Sequence, residues 1–477
     1  MDELLPVEPV RPPSTARRRF RIAVTLVLLA AFVVVAGLEG SGFIMPAQPT
    51  PPAQPAVAPP TPALAPTPAR LAYVGLDGSL HSMDAAGDRN SVIRFPSPGE
   101  AFKFPAWSPD GTRIAAISTD DMGTHLDVFT PPVDGGNADA PAGPTTVYQS
   151  TARPVFYLYW APDSRAIAFL TTEPGGIALR RAPADASAPA TVVRTGAPMY
   201  WQWVDPSRLL VHSGGEAADA FAGLVALDGT PDDSVALDPG SFRAPAMSPD
   251  GNYLASTATQ PDGARSVVVA SRDGTVRHDV PVFGLAAVDF APAGDTLAFI
   301  AAAVAGTAAT IPVGPLRVVD PATGAVRTLI AGSIVTFFWA PDGRTIAALG
   351  IPEPGDTKTA SVDTTTDSVD GASVTLALAR PAGVDTAAGT MLRMIFVDAA
   401  SGVVRSERAT RVSDLFTSQV LPFFDQYALS HRFWSPDSRS LVLPVDDDQG
   451  LTRITSFYAD GSDPIALVDG EFASWSR

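Results

Sequence analysis

Along residues 71–477, apolar and polar positions alternate in short runs, and turn residues break the alternation every few positions. A period of two predicts strands that bury one face, and the frequent breaks predict short strands rather than long helices. One run recurs. It reads WSPDGTRIA from Trp107, WAPDSRAIA from Trp160, MSPDGNYLA from Met247, FAPAGDTLA from Phe290, WAPDGRTIA from Trp339 and WSPDSRSLV from Trp434, with a degenerate WVDPSRLLV from Trp203. Successive copies lie 43 to 53 residues apart, except for 95 before Trp434. A period near 43 suits a four-stranded unit stacked against its neighbours.

Each part of the copy has a physical role. The aromatic (Trp107, Trp160, Trp339 or Trp434) ends one strand and is expected to wedge between neighbouring sheets. Pro109, Pro162, Pro341 and Pro436 preset φ for a tight turn. Asp110, Asp163, Asp342 and Asp437 can accept backbone N–H groups within that turn, and Gly111 and Gly343 tolerate positive φ. Alternating apolar residues such as Ile114 and Ala116 then open the next strand. A second turn signal follows in most units, as at Asp228-Gly229, Asp273-Gly274 and Asp460-Gly461, and reads as a hairpin between the last two strands.

The two ends of the repeat region complement each other. Phe472-Ala473-Ser474-Trp475 reads as a first strand without its turn, and Arg70-Leu71-Ala72-Tyr73-Val74 as the strand that would follow. Pairing them closes a ring and removes two open sheet edges. The expected fold is all-β: a β-propeller of eight four-stranded blades, or seven if the Trp203 unit is not a blade. The long interval before Trp434 is read as an insertion, residues 350–390, between second and third strands, with Leu392–Asp398 as the third strand. The segment 415–430 follows on the same face. Its apolar residues Leu421, Phe423, Phe424 and Tyr427 form the candidate partner-binding face, since long loops in compact domains often carry function.

These copies resemble the WD40-like, or PD40, repeat of TolB-like β-propellers, and the resemblance covers nearly all of residues 71–477. It implies that the Trp, Pro, Asp and Gly of the motifs are structural. TolB proteins also carry an α/β domain before the propeller and work with envelope partners; a proline-rich stretch stands in that place here. Prolyl-oligopeptidase-type enzymes add a hydrolase domain. Only two residues follow Trp475, so that domain is not expected.

Ahead of the repeats, Ile22–Leu38 carries no charge and spans roughly 26 Å as a helix, slightly short of a bilayer core. Arg17, Arg18, Arg19 and Arg21 precede it and Glu39 follows, so the positive-inside rule sets residues 1–21 in the cytoplasm and the rest outside. The expected localisation is the cell membrane, single-pass; a cut after Ala36 would instead yield a secreted chain. Residues 46–70 hold ten prolines in twenty-five positions, a polyproline stalk of up to about 75 Å. The net charge of −17 argues against nucleic acid as a partner, and with no cysteine the domain is held by packing alone.

No G-x-S-x-G, H-E-x-x-H or phosphate-loop motif occurs. His81, His125, His212, His278 and His431 are scattered without metal-ligand spacing. Asp446-Asp447-Asp448 and Asp363, Asp367 and Asp370 lack the alternate spacing of a calcium loop and read as solvated. No cofactor or metal is expected. The sequence therefore points to a non-enzyme: a membrane-tethered module that binds an extracytoplasmic protein, peptide or glycan, or serves as a scaffold. The alternative is a hydrolase or lyase on carbohydrate with its site in the central channel.

Overall fold

The computed structural model describes residues 69–132, 143–214, 220–237, 239, 243–259, 263–302, 311–352 and 389–477. The chain divides into two compact units, Met1–Pro62 and Ala63–Arg477. The first, with Ile22–Leu38, lies outside the described residues, as do residues 46–68 of the proline stretch and 353–388 of the insertion. No helix among the described residues is long and apolar enough to cross a membrane.

The second unit is built from antiparallel strands. Four sheets have four strands each. The Trp107 sheet runs Ala101–Trp107, Ile114–Asp120, Gly123–Phe129, Thr145–Ser150. The Trp160 sheet runs Val155–Trp160, Ala166–Glu173, Gly176–Pro183, Thr191–Thr195. The Trp203 copy, despite its degenerate turn, forms its own sheet of Met199–Asp205, Arg208–Ser213, Phe221–Ala226 and Pro231–Ala236. The fourth sheet joins the two ends of the repeat region. Phe472–Trp475 pairs with Arg70–Val74, matching Leu71 to Trp475, Ala72 to Ser474 and Tyr73 to Ala473, and Leu80–Asp84 and Ser91–Arg94 follow outward.

The rest forms one thirteen-stranded ladder from Ala246–Met247 to Ile465–Asp469. It is continuous because two long strands each serve two units. In Arg277–Phe290, residues 277–282 pair with Arg265–Ser271 and residues 283–290 with Leu297–Ala302. Val326–Trp339 likewise pairs first with Gly314–Val319 and then with Thr345–Gly350. The bends fall at Gly284 (φ 63°) and Gly332 (φ 93°), where only glycine takes positive φ without cost. Thr345–Gly350 pairs with Thr390–Asp398, and that strand with Val404–Val412.

The repeated aromatics tie neighbouring units together by one recurring bond. The Trp160 indole N–H donates to the Ala106 carbonyl at 2.9 Å, Trp203 to Tyr159 at 3.3 Å, Trp339 to Asp289 at 3.2 Å and Trp434 to Phe338 at 3.0 Å. Each acceptor immediately precedes the aromatic of the preceding unit, so one spacing rule satisfies a buried donor at four joints. Trp107 instead lies under the Arg70 guanidinium, 5.2 Å from its ring centre.

The turns follow the expected chemistry. Asp110, Asp163, Asp342 and Asp437 each accept the backbone N–H two residues on, at 2.9 to 3.1 Å. Where serine replaces glycine, Ser164 and Ser438 adopt φ of 61°. Each offsets that strain by accepting the backbone N–H of the previous unit's aspartate at 3.0 Å. Gly343 cannot be replaced so easily: its φ is 67°, and a Cβ would run into the Ala293 carbonyl. Gly343→Ala is expected to cost about 2–3 kcal/mol, against about 1 kcal/mol for Gly111→Ala, which meets nothing within 4 Å. Urea midpoints of the two variants check the ranking.

Candidate functional site

The inner strands, those that end in the repeated aromatics, surround an axis that is filled. After Val404–Val412 the chain makes a wide π-type turn, Phe416–Val420, a tight 3₁₀ turn, Leu421–Phe423, and a short helix, Phe424–Ser430. Phe416, Val420, Leu421, Phe424 and Tyr427 recur at near-helical spacing, which gives the segment one continuous apolar face. The helix packs against Val155–Trp160, Met199–Asp205, Arg277–Phe290 and Val326–Trp339, strands of four different units.

This placement corrects the expected partner-binding face. Leu421, Phe424 and Tyr427 are buried and Phe423 is half-buried. Phe424 packs on Phe337 with ring centres 5.4 Å apart, and Tyr427 on Tyr157 at 5.2 Å and Phe104 at 5.5 Å. The side chains point into the ring because its centre would otherwise be a void, and buried apolar area is worth more there than on a surface. The expected solvated triad is corrected in part as well. Asp446 is buried at a strand end and accepts the Thr452 hydroxyl at 2.6 Å, and Asp447 pairs with Arg453 at 3.4 Å. Asp363, Asp367 and Asp370 lie outside the described residues.

Polar groups fix the plug. Gln426 acts as a strand edge: its Oε1 accepts the Trp201 N–H at 2.8 Å and its Nε2 donates to the Trp201 carbonyl at 2.7 Å. The Tyr157 hydroxyl donates to the Gln426 carbonyl at 2.8 Å. His431 lies 3.2 Å through Nε2 from the Phe104 carbonyl and 2.7 Å through Nδ1 from the Ser430 hydroxyl. That pair of partners suits a neutral ring with its proton on Nε2. Asp425 and Arg243 face each other at 3.8 Å, with side chains 1% and 3% exposed, and Arg243 also donates to the Pro422 carbonyl at 3.3 Å.

Burial shifts the titration of this cluster. It raises the Asp425 carboxyl above the usual range, with Arg243 opposing the shift. The Asp289 carboxyl, on an inner strand, is pushed up to about 8 by burial and by the Asp425 charge. Burial lowers His431 to about 4 and raises Tyr157, Tyr159, Tyr200 and Tyr427. The signs oppose. Unfolded, His431 takes a proton below about 6.5, whereas folded it waits until about 4, so its contribution to stability is lost as pH falls across that window. Folded Asp289 keeps a proton that the unfolded chain releases near 3.8, so its contribution is lost as pH rises toward about 8. Urea midpoints against pH are expected to show a flatter acid limb in His431→Gln and a flatter neutral limb in Asp289→Asn.

Gln426, Arg243, Asp289 and Arg432 were not singled out by the sequence. The one available signal was an aromatic-rich helical spacing, FTSQVLPFFDQYALS, inside an otherwise β pattern.

No family model matches the chain, and no curated protein does. Solved structures do. A putative TolB from Agrobacterium tumefaciens is 14% identical, with 73% of this chain and 91% of that one covered and a TM-score of 0.32. An oligogalacturonate lyase in complex with manganese is 10% identical over 84% and 85%, with a TM-score of 0.40. A prolyl endopeptidase is 14% identical over 78% of this chain and 48% of its own, with a TM-score of 0.45. The neighbours thus include TolB-like β-propellers, in keeping with the strand ladders described above. They also include enzymes, which overturns the expectation of a non-enzyme drawn from missing motifs. A search for contiguous motifs is blind to sites assembled from separate sheets, so the fold does not exclude catalysis.

Proposed function

We propose that the chain is an eight-bladed propeller, tethered to the membrane by Ile22–Leu38, that recognises an extracytoplasmic protein, peptide or glycan through the face carrying its inter-unit connections. On this reading the thirteen-stranded ladder comprises four blades, each long strand ending one and beginning the next. The observation that supports the docking face is an apolar group on adjacent loops. Phe95, Met122 and Leu76 are 65%, 63% and 43% exposed. Their loops adjoin: a Cβ on Gly78 would touch Pro96, and one on Gly99 would touch Asp121. Large exposed apolar side chains grouped in this way mark interaction surfaces.

In-cell crosslinking of the full chain tests the reading. The triple variant Leu76→Ser, Phe95→Ser, Met122→Ser is expected to lose the species that wild type captures while keeping its unfolding midpoint. An unchanged set of captured species contradicts the docking face. A second reading, a hydrolase or lyase on carbohydrate, is favoured by one observation: an Asp289 carboxyl on an inner strand that keeps its proton to about pH 8, as a general acid requires. Turnover of a polysaccharide panel that Asp289→Asn abolishes supports it; no turnover contradicts it.

A further inference from the structure

The loops that expose Leu76, Phe95 and Met122 also gather carboxylates. Asp77, Glu100, Asp120, Asp121 and Glu471 stand on or beside them. The Glu471 main chain donates to the Val74 carbonyl at 2.9 Å, directly before the Leu76 turn. The buried Asp127 carboxyl senses Glu100, Arg94 and His125 at once, which groups those side chains around one point. Against the five carboxylates, the same loops and adjoining strands bring the cations Arg94 and Lys103, and the His125 ring 3.3 Å from Asp120. The next cation along, Arg153, is paired with Glu173 at 2.8 Å. The exposed apolar group therefore sits within a net acidic rim.

Three of these carboxylates hold the loops in place. Asp77 Oδ1 accepts the Ser79 N–H at 3.0 Å in the Leu76 turn. Glu100 Oε2 accepts the Ser97 N–H at 2.7 Å, between Pro96 and Pro98 and just past Phe95. Asp120 Oδ1 accepts the Met122 N–H at 2.7 Å. One oxygen of each thus fixes the loop of one apolar anchor, and the other makes no hydrogen bond among the described residues. Loops fixed in this way lose little freedom when a partner binds, and the second oxygens stay open to a donor.

We propose that this face takes a polypeptide segment that presents lysine or arginine beside apolar side chains. The apolar side chains cover Leu76, Phe95 and Met122, and the cations reach the open oxygens of Asp77, Glu100 and Asp120. The inference rests on the docking face proposed above and names its occupant. Opposite charge around an apolar patch steers the encounter and rejects wrong partners. A cation over the exposed Phe95 ring adds a further attraction. A neutral glycan gains nothing from the net field, and an anionic one is repelled by it. The net charge of −17 extends the same bias beyond the patch.

Panning a displayed library of random dodecapeptides on the full chain in detergent tests the occupant. Enriched peptides should carry lysine or arginine beside apolar residues and be poor in aspartate and glutamate. One enriched peptide, made synthetically and followed by fluorescence anisotropy, should bind more weakly as salt is raised. The variant Asp77→Asn, Glu100→Gln, Asp120→Asn, Asp121→Asn keeps every turn acceptor and removes four charges; it should weaken that peptide about ten-fold or more. Asp121→Lys, at a carboxylate that holds no turn, should weaken it without touching the loops. The variant Leu76→Ser, Phe95→Ser, Met122→Ser should abolish binding. If peptides lost by the serine variant are neutral or acidic, or bind the charge-removed variants as tightly as wild type, the occupant is wrong and the docking face stands. Peptides indifferent to every variant overturn the occupant and the docking face together. No enrichment overturns the occupant alone, and the crosslinking experiment still decides the face.

Discussion

Trp475→Ala is expected to destabilise the propeller by about 3–5 kcal/mol, and a chain ending before Phe472 is expected not to give a soluble, cooperatively folding domain. Trp475 is 2% exposed and packs with Leu71, Tyr73, Met83, Val442 and Ile454, residues from both ends of the repeat region. Its main chain donates to the Arg432 carbonyl at 2.7 Å while its strand pairs with Arg70–Val74, so one residue joins the first and last units. Truncation removes the buried Phe472 and Trp475 together and strips Arg70–Val74 to an open edge, a template for association with other chains. Two such losses, about 6–10 kcal/mol together, are comparable with a typical domain stability of about 5–15 kcal/mol. Urea unfolding of the point variant and size-exclusion chromatography of the truncated chain check both outcomes. A monomeric truncated chain with an unchanged midpoint would remove the structural case for closure.

Arg243→Met should cost a similar amount, about 3–5 kcal/mol near neutral pH, because it leaves Asp425 buried without its cation. The loss should shrink on acidification. Without Arg243 the folded chain holds a proton on Asp425 well above the range in which the unfolded chain releases it, so the folded state gains relative stability as pH falls. The double variant Arg243→Met, Asp425→Leu should recover much of the loss, since a buried ion pair replaced by apolar groups of similar size is often neutral. Midpoints of single and double variants at two pH values separate this account from simple loss of packing, which would be independent of pH and unrelieved by the second substitution.

The turn chemistry made the repeats legible from residue order alone. Pro109, Asp110 and Gly111 have local jobs that need no distant partner, and so do their counterparts in other units. The pairing of the terminal strand with Arg70–Val74 could also be read, because a first strand without its turn and a second strand without its predecessor complete each other. The plug could not. Apolar spacing at Leu421, Phe424 and Tyr427 announces a buried helical face, but whether that face turns outward to a partner or inward to an axis depends on the empty centre of the ring. Gln426 bonds to Trp201, which is 225 positions away, and the contact has no local signature. Asp289 and Arg432 are equally silent: each is an ordinary residue until distant segments pack beside it, with Trp339 bonding the Asp289 carbonyl and Trp475 the Arg432 carbonyl.

Closure can be measured directly because the chain has no cysteine. Ala72 and Ser474 face each other across the joint between the two end strands, and both are small and buried. In the variant Ala72→Cys, Ser474→Cys, mild oxidation should form a disulfide in nearly every folded molecule, read as a mobility shift on a non-reducing gel that is reversed by reductant. Two free thiols persisting after oxidation of the folded protein would contradict the ring.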